Sequence, residues 1–461
     1  MSIEKKFKKI TLTSLVLNET SDVRSQIAGC EHDLSFEEFK DLVFPMSGVF
    51  VKSIPKLSII LNPDGSIWIQ GSLYLLSRAL DYNPADYKTI ESIARDLVDF
   101  RSSLNEHDID YLVFPLNLLK RPTYAYSSIL NERAKRKDSP EVERRKLSCM
   151  IKFYKWLKRE DPNFQPAYAM WIDRVRHIKN EDSEGRSVWR EVTSTDLSIS
   201  HSAAESIDVI KDGGKLRPLQ PHETESILKA LVEDDNIEMM LMFAIALTSG
   251  ARIQTVGTLR VSNIYIRNAP VERLIPTKAG RGELVESKRN KPIRVYIPYW
   301  IHKRLEVYVK SLRYKSRLEL RGGNDNSDPY IFLTRAGRPY YMSKADEEYC
   351  STPETIDGGA VRVYISRLRS KILKAEGKNI NFSFHDLRAT FGMNLLNELM
   401  EQVDAGKRTL SSALNYLRKR MSHSDLKTTM GYLRYYEDVE LAYEAQTRFE
   451  DRIERMMSEF E

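Results

Sequence analysis

The stretch from Phe382 to Tyr435 decides how this chain folds and what it can do. It reads FSFHDLRATFGMNLL at residues 382–396, NYLRKR at 415–420 and MSHSDLKTTMGYLRY at 421–435. His385 and Arg388 are three residues apart, so on a helix they share one face and can reach one anion. Tyr432 follows His423 by nine residues, and a turn between them can return the tyrosine to that anion. Tyr432 is therefore a candidate nucleophile.

Two upstream segments change the interpretation of this stretch. Taken alone, an HxxR pair is more typical of a helix surface whose His and Arg pair with nearby carboxylates. An arginine in TSGARIQTVGTLR (248–260) and a lysine in ESKRNKPIRVYIP (286–298) precede it, however. This order of residues resembles the tyrosine recombinases, the phage-integrase family, over about half of the chain, roughly Leu219 to Tyr436. The matching positions are Arg252, Lys288, His385, Arg388, His423 and Tyr432.

The resemblance implies a fold and an activity. The expected fold is mainly α with a small antiparallel β-sheet in the catalytic domain. The expected activity is site-specific cleavage and rejoining of DNA strands through a 3′-phosphotyrosyl intermediate, for integration or excision of a mobile element. The resemblance also implies double-stranded DNA at specific recombination sites as the partner, a homotetramer on that DNA and, in some systems, an accessory DNA-bending protein. The resemblance implies no cofactor or metal, and no ATP is required, because the bond energy is kept in the phosphotyrosine.

The residue types suit phosphodiester chemistry. Arginine keeps its charge and binds phosphate oxygens in a bidentate fork, so Arg252 and Arg388 are assigned to the non-bridging oxygens. His423 is expected to donate a hydrogen bond to the same group, and His385 to help remove the tyrosine proton. Lys288 is the expected general acid, because a lysine can release its proton and an arginine cannot readily do so.

Several alternatives stay open at this point. Lys278 and Lys291 lie near Lys288 in the sequence, and Tyr435 and Tyr436 lie near Tyr432. The chain also departs from the family pattern. It has Thr255 where an acidic residue is usual and Ser422 where a glycine usually precedes the second histidine, and the segment between Arg388 and His423 is longer than usual.

Composition sets wider limits. A chain of 461 residues predicts two or three domains. The net charge of +6 is compatible with nucleic-acid binding without establishing it. No apolar run approaches the ~18 residues that a membrane span needs, and the N-terminus does not resemble a secretory signal. We therefore expect no membrane partner and a cytoplasmic location, in the bacterial cytoplasm or nucleoid.

The three cysteines, Cys30, Cys149 and Cys350, lack metal-ligand spacing and are expected to be reduced thiols.

Changes of pattern along the chain predict five segments. Residues 1–72 form an N-terminal module with β structure and an optional accessory DNA-binding role. Residues 73–191 form a helical core DNA-binding domain, and 192–218 a linker with few core contacts. Residues 219–440 form the catalytic domain, and 441–461 a C-terminal helix that packs either on its own domain or on a neighbouring protomer.

Local patterns predict individual elements. A β-hairpin is expected around Asn62–Gly65. Short strands are expected in VERLI (271–275), GELVES (282–287), PIRVYI (292–297) and YIFLTRAGRPYY (330–341). Apolar stripes at spacings of three and four predict two helices, with basic residues flanking the second; their members are Ile90, Ile93, Leu97 and Phe100, and Val142, Leu147, Ile151, Tyr154 and Leu157.

Three functions fit the motifs. The first is a recombinase or integrase, which the helical domain and the His-Ser-Asp context favour. The second is a type IB topoisomerase-like enzyme, which nicks and reseals DNA with the same chemistry. The third is a non-catalytic DNA-binding relative, which the presence of all six residue types disfavours.

Overall fold

The computed structural model describes two compact units, one on each side of residues 205–206. The described residues are 6–12, 14–17, 52–81, 85–136, 140–181, 187–199, 209–264, 273–321, 328–346 and 356–458. Cys30, Cys350 and much of the expected N-terminal module lie outside these ranges. Cys149 lies within them as a free, buried thiol.

Short antiparallel strand pairs open the first unit. Strand β1 (Lys8–Thr11) pairs with β4 (Ser58–Leu61), and β2 (Ser14–Leu17) pairs with β3 (Lys52–Pro55). The turn expected at residues 62–65 is present, with Gly65 at φ +92°. Its second arm is a single bridge between Leu61 and Ile67, because helix α1 begins at Ile69.

Four helices form the core of this unit: α1 (Ile69–Leu80), α2 (Tyr87–Asn105), α3 (Pro122–Lys135) and α4 (Glu141–Glu160). The predicted stripes lie in α2 and α4. Leu97, Phe100, Tyr154 and Leu157 are at most 1% exposed, whereas Val142, in the first turn of α4, is 44% exposed. The prediction for Val142 was wrong, since a side chain in the first turn lies beyond the end of the packed face.

A long β-hairpin follows, where a helical domain had been expected to continue to residue 191. Strand β5 (Asp173–Glu181) pairs antiparallel with β6 (Ser187–Thr195), with His177 opposite Glu191. β-Branched residues recur along both strands, and such residues favour extended backbone; they are Val175 and Ile178 in β5 and Val188, Val192, Thr193 and Thr195 in β6. The helical expectation was therefore wrong for residues 173–181 and 187–191.

The second unit is mainly helical and carries the candidate site. Its elements are β7 (Ile210–Lys211), β8 (Lys215–Leu216), α5 (Pro221–Glu233), α6 (Ile237–Ser249), α7 (Ile253–Gly257), β9 (Leu274–Ala279), β10 (Ile293–Pro298), α8 (Tyr299–Lys310), α9 (Leu312–Arg321), α10 (Gly359–Glu376), α11 (Asp386–Asp404), α12 (Leu410–Arg420) and α13 (Leu426–Ser458). Helix α11 contacts α6, α12 and α13, which makes it the centre of the unit. A mainly α fold with small antiparallel sheets was predicted, and that prediction is confirmed.

The predicted strands of this unit are only partly present. β9 and β10 pair antiparallel, with Thr277 opposite Val295. GELVES forms a turn instead of a strand, because Gly280 and Gly282 have φ of +101° and +86° and the Gly280 amide bonds back to the Val285 carbonyl. The 330–341 segment makes isolated bridges in place of a continuous strand.

Helix α6 is held in place by a buried ion-pair network. Glu238, fully buried, accepts hydrogen bonds from Tyr308 at 2.9 Å and from Arg313 at 2.9 and 2.8 Å, and it pairs with Arg317 at 2.7 Å. The network joins α6 to α8 and α9. Helix α6 leads directly into the segment that carries Arg252, so the network fixes the position of that segment.

His302, on α8, gives the stability of this unit a dependence on pH. The side chain is buried, neither ring nitrogen has a hydrogen-bond partner among the described residues, and burial lowers its pKa to about 4. Below the unfolded pKa of about 6.5, the unfolded chain takes up a proton that the folded protein refuses. Stability is therefore lost as the pH falls from 6.5 towards 4.

Replacing His302 by leucine should remove this dependence. We expect the loss of unfolding free energy between pH 7 and pH 4 to be smaller in His302→Leu than in the parent, by about 3 kcal/mol. Urea unfolding at a series of pH values measures it. His222→Leu, at an exposed position on α5, is the control and should follow the parent. Parallel pH profiles for the parent and His302→Leu would contradict the assignment.

Candidate active site

A small hairpin places a carboxylate at the centre of the site. β7 and β8 pair antiparallel, and Asp212, Gly213 and Gly214 form the turn between them, with Gly213 at φ +76°. The Asp212 side chain is 4% exposed. Residues 192–218 were expected to be a linker with few core contacts, yet Ile210 and Leu216 are buried at 1% and 3%.

Four predicted site residues contact the Asp212 carboxylate. Oδ2 accepts hydrogen bonds from Arg388 Nε at 2.7 Å, His423 Nε2 at 3.2 Å and Tyr432 Oη at 3.2 Å. Oδ1 accepts one from Arg252 Nη2 at 3.0 Å. Two arginines, an imidazole and the candidate nucleophile thus converge on one anionic group.

The other two predicted residues lie against the same turn. His385 Nε2 donates to the Asp212 backbone carbonyl at 3.1 Å. Lys288 Nζ lies so close to Gly213 that a Cβ added there would overlap it. All six predicted residues therefore surround residues 212–213, although they come from five different elements or turns.

Arg388 ties three of these elements together. It lies in the first turn of α11, where its Nη1 donates to the Gly250 carbonyl at 2.7 Å and its Nη2 to the Met421 carbonyl at 2.6 Å. Gly250 ends α6 in the left-handed conformation, and Met421 ends α12. Carbonyls at helix C-termini carry partial negative charge and favour a cation. Arg252 follows Gly250 closely and begins the short helix α7.

The Asp212 carboxylate sets the tautomer of His423, and Thr429 binds the other ring nitrogen. His423 Nδ1 lies 2.9 Å from the hydroxyl of Thr429, which is buried on α13. Because Nε2 faces a carboxylate that can only accept, we assign the ring proton to Nε2 and make Nδ1 the acceptor of the threonine hydroxyl. The Nε2–H bond therefore points at the anion site.

Tyr432 is fully buried on α13 and packs against α11. A Cβ at Gly392 would come within 2.5 Å of Tyr432 Cε1, so the absence of a side chain there lets the ring approach. Tyr435 is buried in the same apolar cluster and Tyr436 packs against it. The hydroxyl of Tyr432 reaches the Asp212 carboxylate, which is consistent with its selection from the nine-residue spacing.

Two threonine hydroxyls hold the turn that carries Lys288. The Thr255 hydroxyl donates to the Glu286 carbonyl at 2.8 Å, and the Glu286 amide donates to the Thr258 hydroxyl at 2.8 Å. Thr255, at the position where the family has an acidic residue, thus anchors the lysine turn to α7. Of the alternative lysines, Lys291 donates to Ser424 at 2.9 Å, and Lys278 is exposed on β9.

Burial and charge shape the protonation of the site. Burial alone would raise the pKa of Asp212, but the His423 hydrogen bond and the Arg388 and Arg252 charges hold that pKa well below its usual range. Burial lowers the pKa of His385 and His423, so both rings are neutral near pH 7. Burial and the nearby Arg252 lower the pKa of Lys288.

The pKa of Tyr432 is raised, whereas the pKa values of Asp212, Lys288 and both site histidines are lowered. Burial and the negative charge of Asp212 raise the pKa of its hydroxyl well above the usual value. The phenol therefore keeps its proton while Asp212 is in place, and attack requires a group that can accept that proton.

Sequence reasoning missed Asp212, Thr429 and the two backbone carbonyls at helix ends that accept hydrogen bonds from Arg388. The one signal for Asp212 was the Asp-Gly-Gly sequence, which indicates a tight turn but gives no sign of its destination. No cluster of metal-ligating side chains occurs among the described residues, and within those ranges no helix is long and apolar enough to cross a membrane.

Ser422 holds a backbone conformation that suits glycine. Its φ is +52°, in the left-handed region, directly before His423. We expect Ser422→Gly to preserve or raise the free energy of unfolding, and the β-branched Ser422→Val to lower it by about 1–2 kcal/mol. Urea titration of the three proteins measures this. Equal stability of the valine and glycine variants would show that the strain is absent.

Comparisons with known proteins identify one family and several similar structures. The Phage integrase family matches residues 217–438. No curated protein matches the chain. The Tn1549 transposon integrase in complex with circular intermediate DNA is 15% identical, over 78% of this chain and 93% of that one, with a TM-score of 0.45.

Two further structures are similar at the same level. XerH site-specific recombinase bound to a palindromic difH substrate is 13% identical, over 82% of this chain and 84% of that one, with a TM-score of 0.46. A lambda integrase dimer bound to a core site is 13% identical, over 78% and 93%, with a TM-score of 0.44. The sequence match covers all six predicted site residues but not the hairpin that carries Asp212, and over residues 217–438 this chain belongs to the Phage integrase family.

Proposed function

We propose that this protein is a site-specific DNA recombinase that cleaves and rejoins strands through a 3′-phosphotyrosyl intermediate. The observation that carries the proposal is the convergence of Arg252, Arg388, His423 and Tyr432 on the two oxygens of one buried carboxylate. A carboxylate and a phosphodiester both present paired anionic oxygens. The Asp212 oxygens therefore stand in for the non-bridging oxygens of the scissile phosphate.

In the proposed reaction, the two arginines and His423 stabilise the charge on the phosphate. Arg252 and Arg388 neutralise the non-bridging oxygens as negative charge grows in the pentavalent transition state, and His423 Nε2–H donates to the same oxygens. Arg252 Nε is also buried without a hydrogen-bond partner among the described residues, which leaves one more donor for a phosphate. Arg388 cannot turn away, because two backbone carbonyls hold it.

Proton transfers complete the step. The Tyr432 oxygen attacks phosphorus, and neutral His385 accepts the phenolic proton as the P–O bond to the 5′ oxygen breaks. Lys288, whose pKa burial lowers, gives its proton to that leaving oxygen. The products are a 3′-phosphotyrosine and a free 5′-hydroxyl. Attack of a 5′-hydroxyl from another strand reverses the chemistry, so the enzyme needs no external energy source.

The proposed partner is double-stranded DNA at specific recombination sites, with a homotetramer as the active assembly. Exposed cations on two helices support a DNA-binding role; they are Lys152, Lys155 and Lys158 on α4 and Arg362 and Arg367 on α10. Ile453, in the C-terminal segment 441–461, is 39% exposed on α13, and we propose that this segment packs on a neighbouring protomer. We further propose integration or excision of a mobile element as the biological role, with an accessory DNA-bending protein where the sites require one.

Removing one oxygen atom tests the assignment of the nucleophile. Tyr432→Phe should keep DNA binding and lose covalent attachment, because the ring remains while the attacking oxygen is gone. The measurement is a denaturation-resistant protein–DNA adduct on a nicked substrate that traps the intermediate. Tyr435→Phe and Tyr436→Phe are the matched controls and should still form the adduct. If the adduct persists in Tyr432→Phe and disappears in one of the controls, the tyrosine replaced in that control is the nucleophile.

A modified substrate tests the assignment of Lys288 as the general acid. Lys288→Ala should slow cleavage by about 10²–10⁴-fold, the usual contribution of proton transfer. A substrate with sulfur in place of the bridging 5′ oxygen has a leaving group that needs no proton, so it should restore cleavage by Lys288→Ala. Lys291→Ala and Lys278→Ala should show small defects and no selective rescue. Equal rescue of all three variants would contradict the assignment.

One pair of assays separates recombination from the other two functions. Exchange between two sites, measured beside relaxation of supercoiled DNA, should show exchange products with this protein. Relaxation without exchange would favour a topoisomerase-like enzyme, and binding without either would indicate a non-catalytic relative.

A further inference from the structure

The anion site in this structure is already filled by the protein itself. Four donors that the proposed reaction assigns to phosphate or to the attacking oxygen bond to the Asp212 carboxylate, from Arg252, Arg388, His423 and Tyr432. We propose that Asp212 is an internal ligand that occupies the position of the scissile phosphate and keeps the site closed until the hairpin at residues 209–216 moves away. This inference rests on the proposed function, because it takes the phosphate site from it.

Charge makes the two ligands mutually exclusive. Asp212 is ionised, since nearby positive groups hold its pKa well below the usual range. A phosphodiester at the same donors would bring a second negative charge into contact with the carboxylate in a desolvated pocket, where like charges repel strongly. Only one of the two anions can bind at a time.

Burial excludes DNA in the same way. Tyr432 is 0% exposed, Arg388 3% and His423 9%, so a duplex cannot reach these groups while the hairpin is seated. The hairpin backbone adds to the closure, because the Asp212 carbonyl accepts the bond from His385 and Gly213 lies against Lys288. All six site residues therefore face the hairpin.

The hairpin is also built so that it can leave. Each of its strands has only two residues, and its turn contains Gly213 and Gly214. Two apolar side chains, Ile210 and Leu216, hold it in place besides the polar contacts of Asp212. Immediately after it the chain is fixed, since the Arg217 amide donates to Asp386 at 2.8 Å and the Leu219 amide to Thr390 at 2.9 Å. Residue 217 is the natural hinge.

A rival explanation assigns Asp212 a permanent role. A carboxylate that stays in place during catalysis could orient the arginines and the histidine, and Asp212 would then be a positioning residue. The two roles predict opposite effects of removing the carboxylate. An internal competitor inhibits anion binding and cleavage, whereas a positioning residue supports them.

The first test uses inorganic phosphate and tungstate as probes and needs no catalytic activity. Asp212→Ala and Asp212→Asn leave Arg252 and Arg388 without their anion, so an added anion should bind there and raise the melting temperature with the logarithm of its concentration. The parent should show little shift, because its own carboxylate fills the site. Asp346→Asn, which removes the carboxylate partner of Arg260 elsewhere in the unit, is the control and should respond less, because it deprives one arginine of its anion instead of two.

The second test loosens the hairpin without changing its charge. Ile210→Ala removes a buried anchor in the apolar cluster that surrounds Tyr432, and Leu396→Ala removes an equally buried side chain of that cluster from α11. On a nicked trapping substrate, Ile210→Ala should form the covalent adduct about ten times faster than the parent. Leu396→Ala should show no acceleration. Circular dichroism establishes that each variant is folded.

The outcomes are separable. Anion stabilisation of both Asp212 variants, with faster adduct formation by Ile210→Ala, supports an internal ligand. No anion response of the folded Asp212 variants, or slower adduct formation by Ile210→Ala than by Leu396→Ala, overturns it in favour of a positioning role. Anion stabilisation of the Asp212 variants without an adduct from any protein would leave the internal ligand supported and overturn the proposed recombinase chemistry.

Discussion

Two arginines buried side by side require an anion between them. Arg252 and Arg388 are 15% and 4% exposed in their side chains, and burial together with the charge of Arg388 lowers the pKa of Arg252. A buried charge left without a partner costs several kcal/mol, so this pair is unstable when the space between it is empty. The same property that suits the site to a phosphodiester makes an internal carboxylate favourable when DNA is absent. Stability and DNA binding therefore depend on one position.

The scaffold around this position works through backbone groups as much as side chains. Arg388 is aimed by the carbonyls at the ends of α6 and α12, and Lys288 is held by threonine contacts to Glu286. The opposite, N-terminal end of α6 is fixed by the Glu238 network. Breaking a buried ion pair of this kind destabilises a protein by about 3–5 kcal/mol. Substitutions there should disturb the anion site by shifting the helix end that delivers Arg252.

The sequence predicted site residues and helices correctly where the spacing of nearby residues was enough to identify them. The three-residue spacing of His385 and Arg388 and the order of the other motifs were enough to predict six residues that the structure brings together around one anion. Amphipathic stripes likewise identified α2 and α4, because helix periodicity is a local property. The wrong predictions were GELVES as a strand and a helical domain continuing to residue 191. Glycine turns set the conformation of the first segment, and pairing between two neighbouring strands sets that of the second.

Asp212 could not be predicted for a different reason. It is 176 residues from Arg388 in sequence and 211 from His423, and its segment has the serine, threonine and glycine content of a linker. Nothing local indicates that an Asp-Gly-Gly turn ends in a cluster of cations, since that contact is specified by tertiary structure alone. The same applies to Thr429, whose role depends on which nitrogen of His423 faces the anion.

The position of Tyr432 in a long helix determines which part of the site can open. Tyr432 lies near the start of α13, which runs unbroken from Leu426 to Ser458, and its ring packs directly on Gly392. Withdrawing the tyrosine would require moving this helix and separating it from α11. Withdrawing the hairpin leaves its internal β7–β8 pairing intact; it requires exposing Ile210 and Leu216 and exchanging one anion for another at the arginines. The second motion disrupts far less buried structure, so the hairpin, with Asp212 at its tip, is the element whose movement admits the scissile phosphate to a tyrosine that is already in place.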